Sequence, residues 1–345
     1  MKIAVGISGG VDSTVAALLL RERGHDVVGV TMTLGRADEE QSLAEAKSAA
    51  ERLGIPLHVF DFAAEWKREI LQYVAETYRG GETPNPCVRC NETVKFGAFV
   101  DAARASGLQF DKFATGHYAR IVADGGRFHL LRGVDRAKDQ SYFLYRLPQS
   151  RLAEVLFPLG EFTKPEIRAI AAENGLASHD RHDSQDFYGG NYSMLVDEPD
   201  RPGDIVDCAG RVLGRHRGFW HYTIGQRKGL GVAAPHPLYV VELRPQCNQV
   251  VVGQADDTIR HVVRIADCAW TSGEPPAGDG LSVKIRSTGE PLPCALDGDR
   301  IEIPAGVSGV ASGQSAVLYK GEEVLGGGII EAAESEGEGF RRSRR

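Results

Sequence analysis

Two short stretches carry the residue types that do chemistry. In TPNPCVRCN (residues 83–91), Cys87 and Cys90 form a C-x-x-C pair just after two prolines and at the start of a helical run. Thiols at that spacing serve as a metal clip, a redox pair, or a nucleophile with a helper, and spacing alone leaves the three open. Zinc is the weakest of these, because one C-x-x-C without a second pair nearby is half a structural site. In GISGGVDSTVA (residues 6–16), glycines, serines and one aspartate stand where an apolar run hands over to a helical one. Gly9 and Gly10 let the backbone approach an anion, Ser8 and Ser13 add hydroxyl donors, and the helix start adds its positive end. That is a phosphate cradle. It is neither a Walker A loop, which needs a lysine before the Ser/Thr, nor the dinucleotide fingerprint G-x-G-x-x-G.

The elements that position these stretches change character along the chain. KIAVGI (2–7), DVVGVTMTL (26–34) and IPLHVFDF (55–62) read as strands, and each is followed by a helical run. The first two of those runs close at Gly24 and Gly54, as helices do. Strand and helix alternating at this spacing imply a parallel sheet covered on both faces, with ligands bound where the first strand ends. From about Pro202 the helical periodicity disappears, and short runs such as RVLGRH, LYVVEL and QVVVG are separated by Gly, Pro and Asn turns. A Gly/Pro-rich break, SGEPPAGDG (272–280), precedes LSVKIR, CALDGDRIEIP and SAVLYKGEEVLGGGII. Two small barrels and one longer β region fit this pattern equally well. The polar end of the chain reads as disordered.

Composition bounds the rest. At 345 residues, the chain exceeds what one hydrophobic core organises. Six scattered cysteines make no disulfide framework, no apolar signal core follows Met1, and no run approaches the ~20 apolar residues of a membrane span. A soluble, cytoplasmic protein with no membrane partner is the expectation. The net charge of -7 argues against a blanket polyanion binder, yet residues 201–250 hold seven Lys/Arg against three Asp/Glu. A local basic face is therefore compatible with a negative chain.

The Ser8-Gly9-Gly10-Val11-Asp12-Ser13 loop resembles the S-G-G-x-D-S loop of PP-loop ATP pyrophosphatases, which cleave ATP between the α and β phosphates. Four further stretches, TPNPCVRCNETVKFGAF, ATGHYARI, KDQSYFLYRL and YTIGQRKGLGV, with GQSAVLY near the end, resemble the tRNA-specific 2-thiouridylases of the MnmA/TrmU family, in family order from Met1 to about Ile330. The resemblance implies an α/β PP-loop domain over residues 1–200, a small central β domain over 201–255 and a C-terminal β-barrel over 256–332, and the polar composition that follows reads as a disordered tail over 333–345. It implies adenylation of O2 of the wobble uridine by ATP, then displacement of AMP by sulfur at C2. It places ATP on Gly6, Ile7, Ser8, Gly9, Gly10, Val11, Asp12, Ser13, Met32 and Gly116, with Asp12 also catalytic and a Mg²⁺ ligand. It places tRNA on Asn85, Pro86, His117, Lys138, Asp139, Gln140, Arg286, Ser287 and Gln314. The partners implied are the tRNA anticodon arm and a sulfur donor protein or sulfide, with the chain acting as a monomer.

The chain departs from that family at one point. Cys90 matches the catalytic cysteine, whereas the position of the usual second, persulfide-bearing cysteine, in HDSQDFYGGNY (182–192), is occupied by Tyr188. Three readings follow. Cys87 replaces the missing thiol and ends in a disulfide with Cys90; or Cys87 and Cys90 ligate a 4Fe-4S cluster that carries sulfide, with Asp186 or Cys208 as a further ligand; or the chain is a tRNA-binding paralogue without turnover. A PP-loop ligase inserting nitrogen is a further alternative, and it would have no use for Cys90.

Overall fold

The computed structural model describes residues 1–176 and 195–334. Its first part contains β1 (Lys2–Gly6), β2 (Asp26–Thr33), β3 (Leu57–Asp61), β4 (Lys112–Ala114), β5 (Ala119–Asp124), β6 (Arg127–Arg132) and β7 (Val155–Leu156). Five of these form a parallel sheet in the order β3-β2-β1-β4-β7. Ile3, Ala4 and Val5 of β1 are fully buried, as a central strand covered on both faces requires. Because the chain leaves β1 toward β2 on one side and meets β4 on the other, the loops after β1 and β4 diverge above a crevice.

On one face lie α1 (Val11–Glu22), α2 (Glu39–Leu53) and the helix Lys164–Glu173, sharing a core of Val15, Leu18, Ala46, Leu53 and Ile167 with Ile3 and Val5. The other face is covered by helical residues 63–79 and 86–105 through Trp66, Ile70, Phe96 and Phe99. There Phe96, Phe99, Phe113 and Phe157 meet edge to face at 5.9 Å between ring centres.

The later chain is built on strands, as its turn spacing predicts, with short 3-10 turns at Phe219–His221, Pro245–Cys247 and Asp256–Thr258 between them. β8 (Gly203–Asp207), β9 (Val212–His216), β10 (Tyr239–Arg244) and β11 (Gln249–Gly253) form a separate sheet in the order β10-β11-β8-β9. The last sheet is built from β12 (Ile259–Trp270), β13 (Leu281–Lys284), β14 (Leu292–Pro293), β15 (Ala295–Asp297), β16 (Arg300–Ser308), β17 (Ser315–Lys320) and β18 (Glu323–Glu334). The hairpin β5–β6 extends this sheet, since Leu130 and Leu131 pair with Val324 and Glu323 of β18. One boundary needs correction. Ala333 and Glu334, expected in the tail, pair with Val263 and Val262, because the twelve-residue β12 offers β18 a ladder that far. Residues 335–345 lie outside the described residues.

Candidate active site

The cradle forms as its residue types dictate. Gly9 sits at φ 80°, and a Cβ there would lie 2.5 Å from Glu45 Cβ, so only glycine lets the loop pass over α2. Ser13 Oγ accepts from Ser8 N at 3.1 Å and donates to the Gly10 carbonyl at 3.1 Å, which ties the loop across its own mouth. Gly10 caps α1 in an extended conformation, leaving the first-turn amides without intrahelical partners. Gly116, in the loop after β4, lies against this turn: a Cβ on it would be 2.7 Å from the Asp12 carbonyl carbon and 2.8 Å from Ser13 N. Loop and glycine, 103 to 110 residues apart by number, thus meet at the switch point of the sheet. Met32 is half-buried in β2, beside Phe60 of β3.

Asp12 has partners that the sequence did not reveal. Lys164 Nζ lies 2.8 Å from both of its carboxylate oxygens, and Tyr118 OH donates to Oδ1 at 2.8 Å. The lysine opens the helix Lys164–Glu173, whose first turn is closed by a Thr163/Glu166 capping box. Thr163 and Pro165 signal a helix start in the sequence, but nothing local pairs Lys164 with a loop at the other end of the domain.

Asn85 starts the cysteine helix. It is buried, its Oδ1 accepts from Val88 N at 3.4 Å, and Pro86 occupies the first helical position. Cys87 lies in the helix Pro86–Arg89, and Cys90 begins a π-helical stretch, Cys90–Ala98, closed by Phe99 N donating to the Val94 carbonyl. The stretch is kinked at Gly97, whose φ of -96° and ψ of -107° are not helical and where a Cβ would stand 2.8 Å from the Glu92 carbonyl oxygen. Residues five apart share a face of such a turn, which turns Lys95 toward Cys90.

Burial pushes the Cys90 thiol up, while the Lys95 charge pulls it down. Burial, with Lys95 adding to it, holds the His117 imidazole well below its ordinary range, so it is neutral at pH 7. His117 Nδ1 is 2.7 Å from Thr115 Oγ1, and the ring packs on Phe96 and Phe157 at 5.6 and 5.8 Å. Cysteine helix and ATP loop are therefore joined by a packed chain: Phe96, His117, Gly116, Asp12.

The remaining residues assigned to tRNA fall into two groups. Asp139 accepts from Arg132 Nε, Gly133 N and Ser141 N, each at 3.1 Å, and Gln140 Oε1 accepts from Tyr118 N at 3.0 Å. Both act there as struts of the loop that carries the half-buried Lys138. Gln314 Nε2 donates to the Pro84 carbonyl at 2.7 Å, and Tyr142 OH donates to the Ser315 carbonyl at 2.8 Å, so the last sheet grips the stretch ahead of Cys87. Arg286 and Thr288 are exposed and Ser287 half-buried. A Cβ on Gly225 would be 3.2 Å from Gly309 Cα and one on Gly309 would be 3.7 Å from Arg286 NH1, which brings exposed Arg227 and Lys228 to the same region as Arg286.

Among the described residues, which include all six cysteines, there is no disulfide and no group of three His, Cys, Asp or Glu able to hold a metal. Cys208, considered as a further cluster ligand, sits in the β8–β9 turn with Sγ 3.8 Å from the Val252 carbonyl. Asp183, Ser184, Gln185, Asp186 and Tyr188 lie outside the described residues. No helix among the described residues is long and apolar enough to cross a membrane.

Comparison with known proteins gives three consecutive family matches: a tRNA methyl transferase HUP domain over residues 1–188, a tRNA methyl transferase PRC-barrel domain over 196–254, and an aminomethyltransferase beta-barrel domain over 260–330. The tRNA-specific 2-thiouridylase MnmA of Endomicrobium trichonymphae is 42% identical, covering 96% of this chain and 99% of that one. The protein of the same name from Chloroflexus aurantiacus is 45% identical over 95% of this chain and 98% of its own. That from a Synechococcus strain is 44% identical over 96% and 98%. With a PP-loop cradle at the sheet's switch point, a cysteine helix packed beside it and near full-length identity above 40%, the chain belongs to the MnmA family of tRNA-specific 2-thiouridylases.

Proposed function

We propose that this chain converts the wobble uridine of tRNA to 2-thiouridine at the expense of ATP. The observation that carries this reading is the packed chain from Cys90 through Phe96, His117 and Gly116 to Asp12, which sets a sulfur-handling thiol beside an ATP cradle. In the first step the uracil O2 attacks the α phosphorus and pyrophosphate leaves. The C2 centre, a poor electrophile as a carbonyl, then carries AMP as leaving group. Loop amides and the Ser8 and Ser13 hydroxyls hold the phosphates, and Asp12, the one carboxylate of the loop, is the protein group available to a Mg²⁺ that enters on them.

For the second step we assign the persulfide route. The terminal sulfur of a Cys90 persulfide attacks C2 and expels AMP. Cys87 thiolate then attacks Cys90 Sγ, freeing thiouridine and leaving a Cys87–Cys90 disulfide, which an external thiol reduces. The pair stands one helical turn apart, as this exchange needs. The support for this route is that Cys87 supplies the thiol that Tyr188 lacks.

Asn85 and Pro86 at the head of the cysteine helix meet the target base, while Lys138, Arg286, Arg227 and Lys228 meet phosphate. His117, buried and neutral, serves through packing. We place the domain divisions near residues 200 and 255, and the enzyme acts as a cytoplasmic monomer supplied by a persulfide-bearing sulfur-donor protein, or by sulfide that opens the Cys87–Cys90 disulfide to a Cys90 persulfide and a Cys87 thiol. The test combines purified protein, tRNA, Mg-ATP and sulfide or persulfide: 2-thiouridine, AMP and pyrophosphate form in equal amounts. Release of ADP, or thiolation without AMP, rules the reading out.

A further inference from the structure

The cradle poses an electrostatic problem. Residues 6–16 hold one acidic side chain, Asp12, and no basic one, yet the ligand is a polyphosphate. A carboxylate there repels the phosphates unless its charge is met. The side chains of the Asp12–Lys164 pair are unequally exposed, 28% for the aspartate and 5% for the lysine, so the carboxylate is the accessible partner and the ammonium the buried one.

Resting on the reading of this loop as the ATP site, we infer that Lys164 is a positioning residue for the activation step: it cancels and orients the Asp12 carboxylate so that pyrophosphate is tolerated beside it. Three features fix the arrangement. Lys164 Nζ holds both Asp12 oxygens at 2.8 Å, Tyr118 OH fixes Oδ1 from another side, and the Tyr118 ring lies 5.8 Å from the ammonium. The backbone that carries the lysine is itself pinned, with Lys164 N donating to Asp135 Oδ2 at 2.9 Å and Thr163 N to Glu166 Oε2 at 2.7 Å. The start of that helix is thus committed to Asp135 and Glu166, and its contribution to the cradle is the side-chain charge. A loop without the Walker lysine gains a lysine's charge from 152 residues away, applied to its aspartate.

The experiment is binding of inorganic pyrophosphate to the full chain in metal-free buffer with a chelator, measured by titration calorimetry. Asp12→Asn removes the repelling carboxylate and leaves the ammonium, so the affinity rises about tenfold; Lys164→Met does the reverse and lowers it about tenfold. The double variant Asp12→Asn with Lys164→Met returns to within about threefold of the parent, because the two charges leave together. A double variant that binds no better than Lys164→Met puts the ammonium on the phosphate itself and overturns the inference. So does an Asp12→Asn protein with unchanged or weaker affinity. Where a single variant fails to fold, as shown by far-UV dichroism, the double variant, which strands no charge at this pair, decides against the other single variant. No tRNA is present, so failure here leaves the thiolation reading standing.

Discussion

Gln314 Nε2 donates to the Pro84 carbonyl at 2.7 Å and to the Thr83 carbonyl at 3.3 Å, so a residue just before β17 holds the backbone that leads into the cysteine helix. Thr83 N returns a bond to the Ser312 carbonyl at 2.7 Å, and Asn85 Nδ2 reaches Ser315 Oγ at 3.5 Å. The last sheet is therefore part of the wall behind Cys87. Gln314→Ala loses two bonds at a half-buried site, at about 1–3 kcal/mol of local stability. The expected result is faster amide exchange at Glu82 and Thr83 and a several-fold loss of thiolation, with ATP binding unchanged. Equal exchange in both proteins counts against the clamp.

Gly97 marks the bend in the π-helical stretch that begins at Cys90. A methyl group there meets the Glu92 carbonyl oxygen at 2.8 Å and drives the turn toward α geometry, which carries Lys95 away from Cys90. Gly97→Ala is expected to cost about 1–3 kcal/mol in thermal or denaturant unfolding. It is also expected to slow sulfur transfer more than it weakens ATP binding. A fully active Gly97→Ala protein shows that the π turn is not needed.

Much of this site was legible in the sequence, and its gaps have physical causes. The cradle is a local motif, since the positive-φ glycine, the serines and the helix start all lie within eight residues, so types and spacing sufficed. The alternation of strands and helices gave the parallel sheet for the same reason. Lys164 and Tyr118 were missed because their meaning lies in a contact made across 152 and 106 residues, which no periodicity encodes. The hairpin β5–β6 joins the last sheet through Leu130, a partner chosen by tertiary packing. The motif alone sets His117 against tRNA, and the structure adds its surroundings, Phe96, Phe157 and Thr115, which no local pattern names.

The Cys90 thiol is raised by burial and partly lowered by Lys95, so it is protonated at neutral pH and its thiolate appears only as pH climbs through that raised value. Alkylation of Cys90 by iodoacetamide, followed by peptide mass spectrometry, should be slow at pH 7 and still accelerating above pH 9. Lys95→Met moves the rise to higher pH, and Lys95→Arg restores it. A rate for the parent protein that levels off below pH 8 contradicts the burial of this thiol.

The division of labour between the two cysteines gives the sharpest test of the sulfur step. Cys90→Ser removes the persulfide carrier, so neither thiouridine nor a protein–tRNA adduct forms while AMP release persists at a low level through hydrolysis of the adenylate. Cys87→Ser leaves the first sulfur transfer intact and removes the thiol that attacks Cys90 Sγ, so the C2–S–S–Cys90 linkage accumulates. On a non-reducing gel this variant therefore shows a tRNA-linked band that dithiothreitol releases as thiolated tRNA, and peptide mapping places the link on Cys90. Should the Cys90→Ser protein instead accumulate an adduct, mapping to Cys87, the roles of the two residues are reversed. A Cys87→Ser protein that turns over repeatedly without added thiol and forms no adduct assigns the resolving step elsewhere, and the spacing of the pair then has no part in it.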